Sequence, residues 1–400
     1  RAGGVSLSGT STGATVDVVS RDAAGTAAQP LTVGASGLTA GSVALNGSTV
    51  TVTGDLTATA SGASIVAATD ATITGDIDVD NAVSITFGSA AAEVLTLSGS
   101  ITAPDDLSAT GGANGDSIVL NTLSVGTATF DGGGGTDKVT IGGSGAQILE
   151  ATGTGAFSLG ALDFTSIEEV AAGGGTDVVE LPNSNSSIVV TGTGAVSVLG
   201  IAFSQVETID AGGGTSDTVS LTGGDDSFVV TGTNAGSASG LSFTGIEAVD
   251  GMAGSDTLTN SSGTAFTVGS GAVAGITYTQ FEKFSTPSLK LSAADETIAV
   301  TAAGEATIGG VSYTGVTSID AQGGVDAVTL TGGDDSFTVT AAGKGTGLGI
   351  SFSNIESIDG GLGTDTLTNA TGAVLTLGAT LGDVTYTSFD KISTPALKLT

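Results

Sequence analysis

Glycine-rich segments that end in an aspartate are the parts of this sequence that could do chemistry. They include DGGGGTDKVTI, AAGGGTDVVEL and DGGLGTDTLTN, and GGANGDSIVL is an earlier relative. Glycine adopts φ values that other residues avoid, so these loops can turn carbonyl oxygens toward one point while the aspartate adds charge. Ligand sets made only of oxygen suit calcium. The anchoring residues predicted to bind Ca2+ are Asp116, Asp137, Asp177, Asp217, Asp256, Asp326 and Asp365.

Further acidic residues lie beside these segments and are predicted to add ligands. One set directly precedes the glycines and consists of Asp131, Asp210, Asp250, Asp320 and Asp359. Another belongs to the turn GGDD, which occurs twice and contains Asp225, Asp226, Asp334 and Asp335. The alternative interpretation is that all of these are ordinary Gly-Asp turns between strands, which need no metal.

The composition narrows the possible partners and reactions. The chain has 40 Asp and Glu residues but eight Lys and Arg residues, for a formal net charge of −32, and it contains no His, Cys or Trp. Nucleic acid and anionic membrane surfaces are therefore repelled. The commonest general base, the thiol nucleophile and the ligands of soft metals are missing. No membrane insertion is expected, because no run of about 18 apolar residues is present.

A repeated segment with a central aromatic residue indicates the elements that carry these loops. It occurs seven times, for example as LDFTSIEEVA, IAFSQVETID and ITYTQFEKFS, at spacings of 34 to 40 residues. We expect the aromatic side chains to pack in a core, aligned along a common axis, more often than to form a carbohydrate-stacking surface. The seven residues are Phe164, Phe203, Phe243, Tyr278, Tyr313, Phe352 and Tyr386.

The repeats predict an all-β fold, a right-handed parallel β-helix (β-solenoid) with units of about 39 residues and two rungs in each unit. Residues 1–110 show a looser step of 21 to 24 residues, and we expect irregular rungs there. Residues 111–400 carry the regular units, and a larger repeat of about 109 residues is visible in TGGDDSF at Thr222 and Thr331. The two parts are expected to be continuous.

Two segments resemble a known family. GGGGTDKVT from Gly132 and GGLGTDTLT from Gly360 are similar to the RTX nonapeptide G-G-x-G-x-D-x-U-x, and the resemblance implies calcium binding in a parallel β-roll. The strands between the loops look more like the β-helical repeats of filamentous-haemagglutinin-like adhesins and of bacterial surface-layer proteins. Those families imply secretion, attachment to the cell surface and a structural or adhesive role.

The function expected from these features is that of a structural and adhesive extracellular filament or matrix protein, and not of an enzyme. The expected partners are copies of the chain or other surface and matrix components, with glycans as a further candidate. The expected location is extracellular or on the bacterial cell surface. Two alternatives stay open: a β-helical polysaccharide lyase or hydrolase, which would use paired carboxylates, and a module that binds ice or glycans.

Overall fold

The computed structural model describes residues 5–10, 15–20, 28–88, 91–103, 106–121, 124–376, 380–381 and 384–398. Within these ranges the chain forms 52 short β-strands and no helix, which confirms the predicted all-β class. The chain divides into two compact units, Arg1–Gly214 and Thr215–Thr400. The boundary predicted at residue 110 falls inside the first unit, where Leu107–Thr110 pairs with Ala128–Asp131 across it.

The strands of the first unit are short, and most have three to six residues. Strands β1 to β13 are Val5–Thr10, Thr15–Val19, Leu31–Ala40, Ser42–Gly47, Val50–Val52, Leu56–Ala58, Ala63–Ala67, Ala71–Ile73, Ile77–Val79, Val83–Thr86, Val94–Leu97, Ser100–Thr102 and Leu107–Thr110. Strands β14 to β26 are Ser117–Leu120, Ser124–Val125, Ala128–Asp131, Lys138–Ile141, Ile148–Gly153, Ala156–Leu159, Leu162–Thr165, Glu169–Ala171, Val178–Glu180, Ser187–Gly192, Ala195–Val198, Ile201–Ser204 and Thr208–Asp210.

The second unit has the same kind of strands. Strands β27 to β39 are Thr218–Ser220, Ser227–Gly232, Ala235–Ala238, Leu241–Thr244, Ala248–Asp250, Thr257–Asn260, Phe266–Thr267, Ala272–Val273, Ile276–Thr279, Lys283–Ser285, Ser288–Lys290, Thr297–Ala302 and Glu305–Ile308. Strands β40 to β52 are Val311–Thr314, Ser318–Asp320, Ala327–Thr329, Ser336–Ala341, Lys344–Gly347, Ile350–Ser353, Ser357–Asp359, Thr366–Asn369, Leu375–Thr376, Thr380–Leu381, Val384–Thr387, Lys391–Ser393 and Leu397–Lys398.

Strands β3 to β17 form three parallel ladders, because each turn of chain contributes three strands. One ladder runs β4, β7, β10, β13 and β16, and its pairs Val43↔Ala63, Val83↔Ala63 and Val83↔Leu107 are 20 to 24 residues apart. Alternate side chains point inward, as in β5, where both valines are buried and the threonine between them is not. Each buried aliphatic side chain contributes about 1.5 to 3 kcal/mol. The looser step predicted for this part is therefore confirmed as a turn-to-turn spacing.

The regular units are built differently. Strands β21, β22 and β23 begin at Glu169, Val178 and Ser187, nine residues apart. The third strand then continues into a three-stranded antiparallel meander, in which β23 pairs with β24 and β24 pairs with β25. Leu199 and Gly200 close the second hairpin with φ values of 51° and 77°, the pair of positive values that a type I′ turn requires.

The predicted pair of similar parallel rungs in each 39-residue unit is therefore wrong in detail. Each unit combines two nine-residue steps with one antiparallel meander. The reason is that the alternation of apolar and polar residues has a period of two in parallel and antiparallel strands alike. Alternation alone could not distinguish the two pairings.

The repeated aromatic residues pack in the core, as predicted, at six of the seven positions, and Tyr278 is partly exposed. Phe157 and Phe164 stack with ring centroids 4.4 Å apart, and Phe130 lies 4.9 Å from Phe164 on the other side. The expected single axis is wrong, because Phe164 pairs with Phe130 in one ladder and Phe203 pairs with Val170 in another. Between successive aromatic segments the chain crosses between ladders three times, and an odd number of crossings changes the side.

Candidate cation sites in the stacked loops

Each Gly-Asp loop connects two strands and ends in its aspartate, as in 172–177 between β21 and β22. The loop can form because its glycines take positive φ values, 95° at Gly173 and 145° at Gly175. A β-carbon on Gly175 would lie 2.6 Å from the carbonyl oxygen of Gly145 in the loop one layer below. Glycine is thus required by the conformation and by the close stacking of loops.

The loops are stacked in three layers, which we call the lower loop, the Gly-Asp loop and the upper turn. In one stack these are residues 142–147, 172–177 and 205–207. The N–H of Gln147 donates to Oδ1 of Asp177 over 2.7 Å, and the N–H of Asp177 donates to Oε2 of Glu207 over 2.7 Å. The carbonyl oxygen of Asp177 accepts the N–H groups of Glu207 and Thr208, both at 3.1 Å. The aspartate therefore joins all three layers.

The same bonds recur in other stacks. The N–H of the lower loop donates to the aspartate at Asp116→Asp137, Asp226→Asp256, Glu296→Asp326 and Asp335→Asp365, over 2.6 to 2.9 Å. Above each aspartate, an acidic side chain of the upper turn accepts the aspartate's own N–H over 2.7 to 3.0 Å. These acceptors are Glu168, Glu207, Glu247, Glu282, Glu356 and Asp390.

The upper-turn acids were missed in the sequence analysis, although a signal was present. They occupy the seventh place of the aromatic segment, which is acidic in six of the seven copies. The fifth place has a positive φ in every copy, for example 56° at Ser166 and 57° at Gln280. This left-handed residue turns the chain so that the seventh place lies above the Gly-Asp loop.

The exceptional copy is VSYTGVTSID, in which Thr317 takes the seventh place. The layer beneath it contains Pro287 where the other stacks have the aspartate. The lower loop of this stack is held by Asn260, whose amide donates to Oγ1 of Thr286 over 3.1 Å and to the carbonyl oxygen of Thr264 over 2.7 Å. This stack therefore lacks the three acidic residues of its neighbours.

The second oxygen of the Gly-Asp carboxylates is the unusual feature of these stacks. All seven anchoring aspartates, Asp116 included, are at most 2% exposed. Within the described part of the chain, several buried carboxylate oxygens accept no hydrogen bond, and a buried acceptor in that state costs about 1 to 3 kcal/mol or more when charged. They are Oδ2 of Asp137, Asp177, Asp256, Asp326 and Asp365 and Oε2 of Glu93 and Glu296.

Burial also changes the acidity of these groups. Loss of solvation raises the pKa of Asp137 and of Asp326 to about 6, and it raises the pKa of Asp177 as well. Negative neighbours add to the first two effects, since Glu168 acts on Asp137 and Glu296 acts on Asp326. Near neutral pH each such oxygen requires a positive charge or a proton.

The remaining predicted ligands have protein partners. Five carboxylates accept the N–H two residues further on, as Asp131 does from Gly133, Asp210 from Gly212, Asp250 from Met252, Asp320 from Gln322 and Asp359 from Gly361. The hydroxyl of Ser388, with the N–H of Gly361, lowers the pKa of Asp359. The plain-turn interpretation accounts for the bonds of these five residues.

The GGDD aspartates and Asp116 are also bonded. Asp225 and Asp334 accept the N–H groups of Ser255 and Thr364 in the layer above. Oδ2 of Asp226 accepts the hydroxyl of Thr222, and Oδ2 of Asp335 accepts the hydroxyl and the N–H of Thr331. Both oxygens of Asp116 accept N–H groups, from Glu93 and Gly112.

The donor atoms around the Gly-Asp carboxylates fit a hard cation. A β-carbon on Gly251 would lie 2.3 Å from the carbonyl oxygen of Gln280 and 2.8 Å from Oδ2 of Asp256. Gly360 has the same relation to Ser388 and Asp365, at 2.3 and 2.9 Å. The glycine thus leaves room where a carbonyl and a carboxylate oxygen meet, which is the donor chemistry that calcium takes.

Side chains alone do not form a cage. Among the residues that the structure describes, no group of three or more His, Cys, Asp or Glu side chains is placed to hold a metal ion. A cation at a Gly-Asp loop would therefore depend on main-chain carbonyl oxygens together with one or two carboxylates. Calcium sites commonly combine these two kinds of ligand.

Comparisons with known proteins identify no relative. The described part of the chain contains no helix long and apolar enough to cross a membrane. No protein-family model, no curated protein and no solved structure matches this sequence or its fold.

Proposed function

We propose that this chain is part of an extracellular structural protein, a calcium-stabilised right-handed β-solenoid that serves as a surface filament, adhesin or matrix component. The observation that carries the proposal is the set of buried carboxylate oxygens that accept no hydrogen bond in the stacked Gly-Asp loops. A soluble protein does not keep uncompensated charge in such positions. Calcium is abundant outside cells, and weak extracellular sites have dissociation constants of about 0.1 to 1 mM.

The solenoid part of the proposal is supported by the strand registers. Three parallel ladders with offsets of about 20 residues are what successive turns of one coil produce. The later strands begin nine residues apart, as at Thr208 and at the strands starting at Thr218 and Ser227. Steps of nine or ten residues are expected of the nonapeptide repeats that the loops resemble.

Six Gly-Asp loops supply the proposed calcium ligands through Asp137, Asp177, Asp217, Asp256, Asp326 and Asp365, together with carbonyl oxygens of the stacked layers. The bound ion would neutralise the buried charge and join neighbouring turns. With calcium at tenfold its dissociation constant, each site adds about 1.4 kcal/mol, so six would add about 8 kcal/mol. That sum is comparable with the whole stability of a typical domain, about 5 to 15 kcal/mol.

A structural role is favoured over catalysis because the acids have the same surroundings in successive stacks. A lyase or hydrolase would place unlike groups together at one point of the repeat. A glycan-binding surface would expose rings, whereas six of the seven repeated aromatic side chains are buried. The recurring layers instead suit a protein whose length and stiffness are its function.

Thermal unfolding in calcium and in chelator tests the proposal. We expect the melting temperature of the full chain to fall by about 10 °C or more when EGTA replaces millimolar calcium. Magnesium at the same concentration is the control and should restore little, because it requires a smaller octahedral site. Coincident melting curves in calcium and EGTA would remove calcium from the proposed function.

A further inference from the structure

The lower loop 291–296, with the sequence LSAADE, contains no glycine and matches no calcium motif. It ends in Glu296, which lies directly below Asp326 of the next Gly-Asp loop. The N–H of Glu296 donates to Oδ1 of Asp326 over 2.9 Å, and the N–H of Val325 donates to Oδ1 of Asp295 over 2.8 Å. The two loops are therefore held together along their length.

Two orphaned oxygens meet in this stack. Oε1 of Glu296 accepts the hydroxyl of Ser292, but Oε2 is buried and accepts no hydrogen bond. Asp326 is 0% exposed, and its Oδ2 is buried without a hydrogen-bond partner as well. The two carboxylates are in hydrogen-bonding contact, and the charges that act on Asp326 are those of Glu296 and Glu356, both negative.

The equivalent lower-loop residues elsewhere do not share this property. Oδ2 of Asp226 accepts the hydroxyl of Thr222, and Oδ2 of Asp335 accepts the hydroxyl of Thr331. A third stack has the neutral Gln147 in this place. Among these four lower-loop residues, only Glu296 pairs an unsatisfied oxygen with that of the aspartate above it.

We propose that Glu296 and Asp326 together bind one divalent cation, calcium, between Oε2 and Oδ2. This inference rests on the proposed function and adds a second carboxylate at a loop that carries no glycine motif. Two unpaired buried carboxylate oxygens repel each other, and a divalent ion between them supplies both missing partners. More carboxylate charge at a calcium site strengthens binding, so this site fills before the single-carboxylate ones.

Calcium titration of the full chain near neutral pH tests the proposal, with E296Q as the variant and D335N as the matched control. E296Q should bind one calcium fewer per chain and lose the tightest binding step. Its amide can donate to Oδ2 of Asp326, so without calcium E296Q should melt at or above the wild-type temperature. D335N changes a lower-loop acid that already has donors and should keep the wild-type number of ions.

E296D separates charge from position and guards against misfolding of the first variant. It keeps the carboxylate but draws it back by one carbon, and we expect about tenfold weaker binding at one site. If the wild type binds calcium and both Glu296 variants match it in number and affinity, the pair is not a site and the proposed function stands. If the wild type binds no calcium, the proposed function itself fails.

Discussion

Thr317 lies above Pro287 and donates both its N–H, over 2.9 Å, and its hydroxyl, over 2.8 Å, to the carbonyl oxygen of that proline. In six other stacks this place holds a residue whose N–H donates upward to a carboxylate. Proline has no N–H to donate, and the acid above it is replaced by threonine. The acid in the upper turn is thus present where a main-chain donor requires an acceptor.

Removing an upper-turn acid should destabilise the protein. In E207A the buried N–H of Asp177 loses its acceptor, and the expected cost is about 1 to 3 kcal/mol of unfolding free energy. T317A is the matched control, because it removes a hydroxyl whose acceptor keeps two N–H donors, and it should cost less than about 1 kcal/mol. Urea denaturation of both variants in chelator measures the difference, and equal losses would contradict the role given to Glu207.

The stability in chelator should depend on pH in an unusual direction. The pKa values of Asp137 and Asp326 are raised to about 6 from 3.8, so the folded chain binds more protons than the unfolded chain between these values. Their contribution to stability is therefore fully present below about pH 4 and is lost as pH rises through about 6. Melting temperatures from pH 4 to about pH 7 in EGTA should fall, and added calcium should reduce the fall.

Neutralising one Gly-Asp carboxylate should remove part of the response to calcium. D365N keeps an oxygen for the N–H of Asp335 but removes the charge, so in chelator it should be about as stable as the wild type. In calcium it should gain about 1.4 kcal/mol less. D359N is the control, since Asp359 is engaged by the N–H of Gly361. Calcium-dependent melting compares them, and an unchanged response in D365N would exclude this loop as a site.

Loop stacking should be sensitive to one methyl group at a defined place. G175A would place a β-carbon 2.6 Å from the carbonyl oxygen of Gly145 in a residue with φ of 145°, and the expected cost is about 1 to 3 kcal/mol. G174A would place its β-carbon at an ordinary 3.5 Å from Gly143 and should cost less than about 1 kcal/mol. Chemical denaturation distinguishes them. Equal stability would show that the layers are not held as closely as described.

The sequence by itself determined the all-β class, the loop positions and most of the core. Glycine at Gly173 and Gly175 and alternation such as that of Val50 and Val52 are local signals, because backbone conformation and side-chain direction depend on neighbouring residues. The burial of Phe164 and Phe203 followed from the same alternation. These features could be predicted without knowledge of distant contacts.

Only the tertiary structure decided the pairing of strands and the surroundings of the acids. The antiparallel pairing of β24 and β25 has the same alternation as a parallel pair, and the partners of Asp177 lie 30 residues away on either side, at Gln147 and Glu207. Whether a carboxylate oxygen has a donor is set by which layer lies against it. That depends on how the chain returns to itself, which no local pattern of residues encodes.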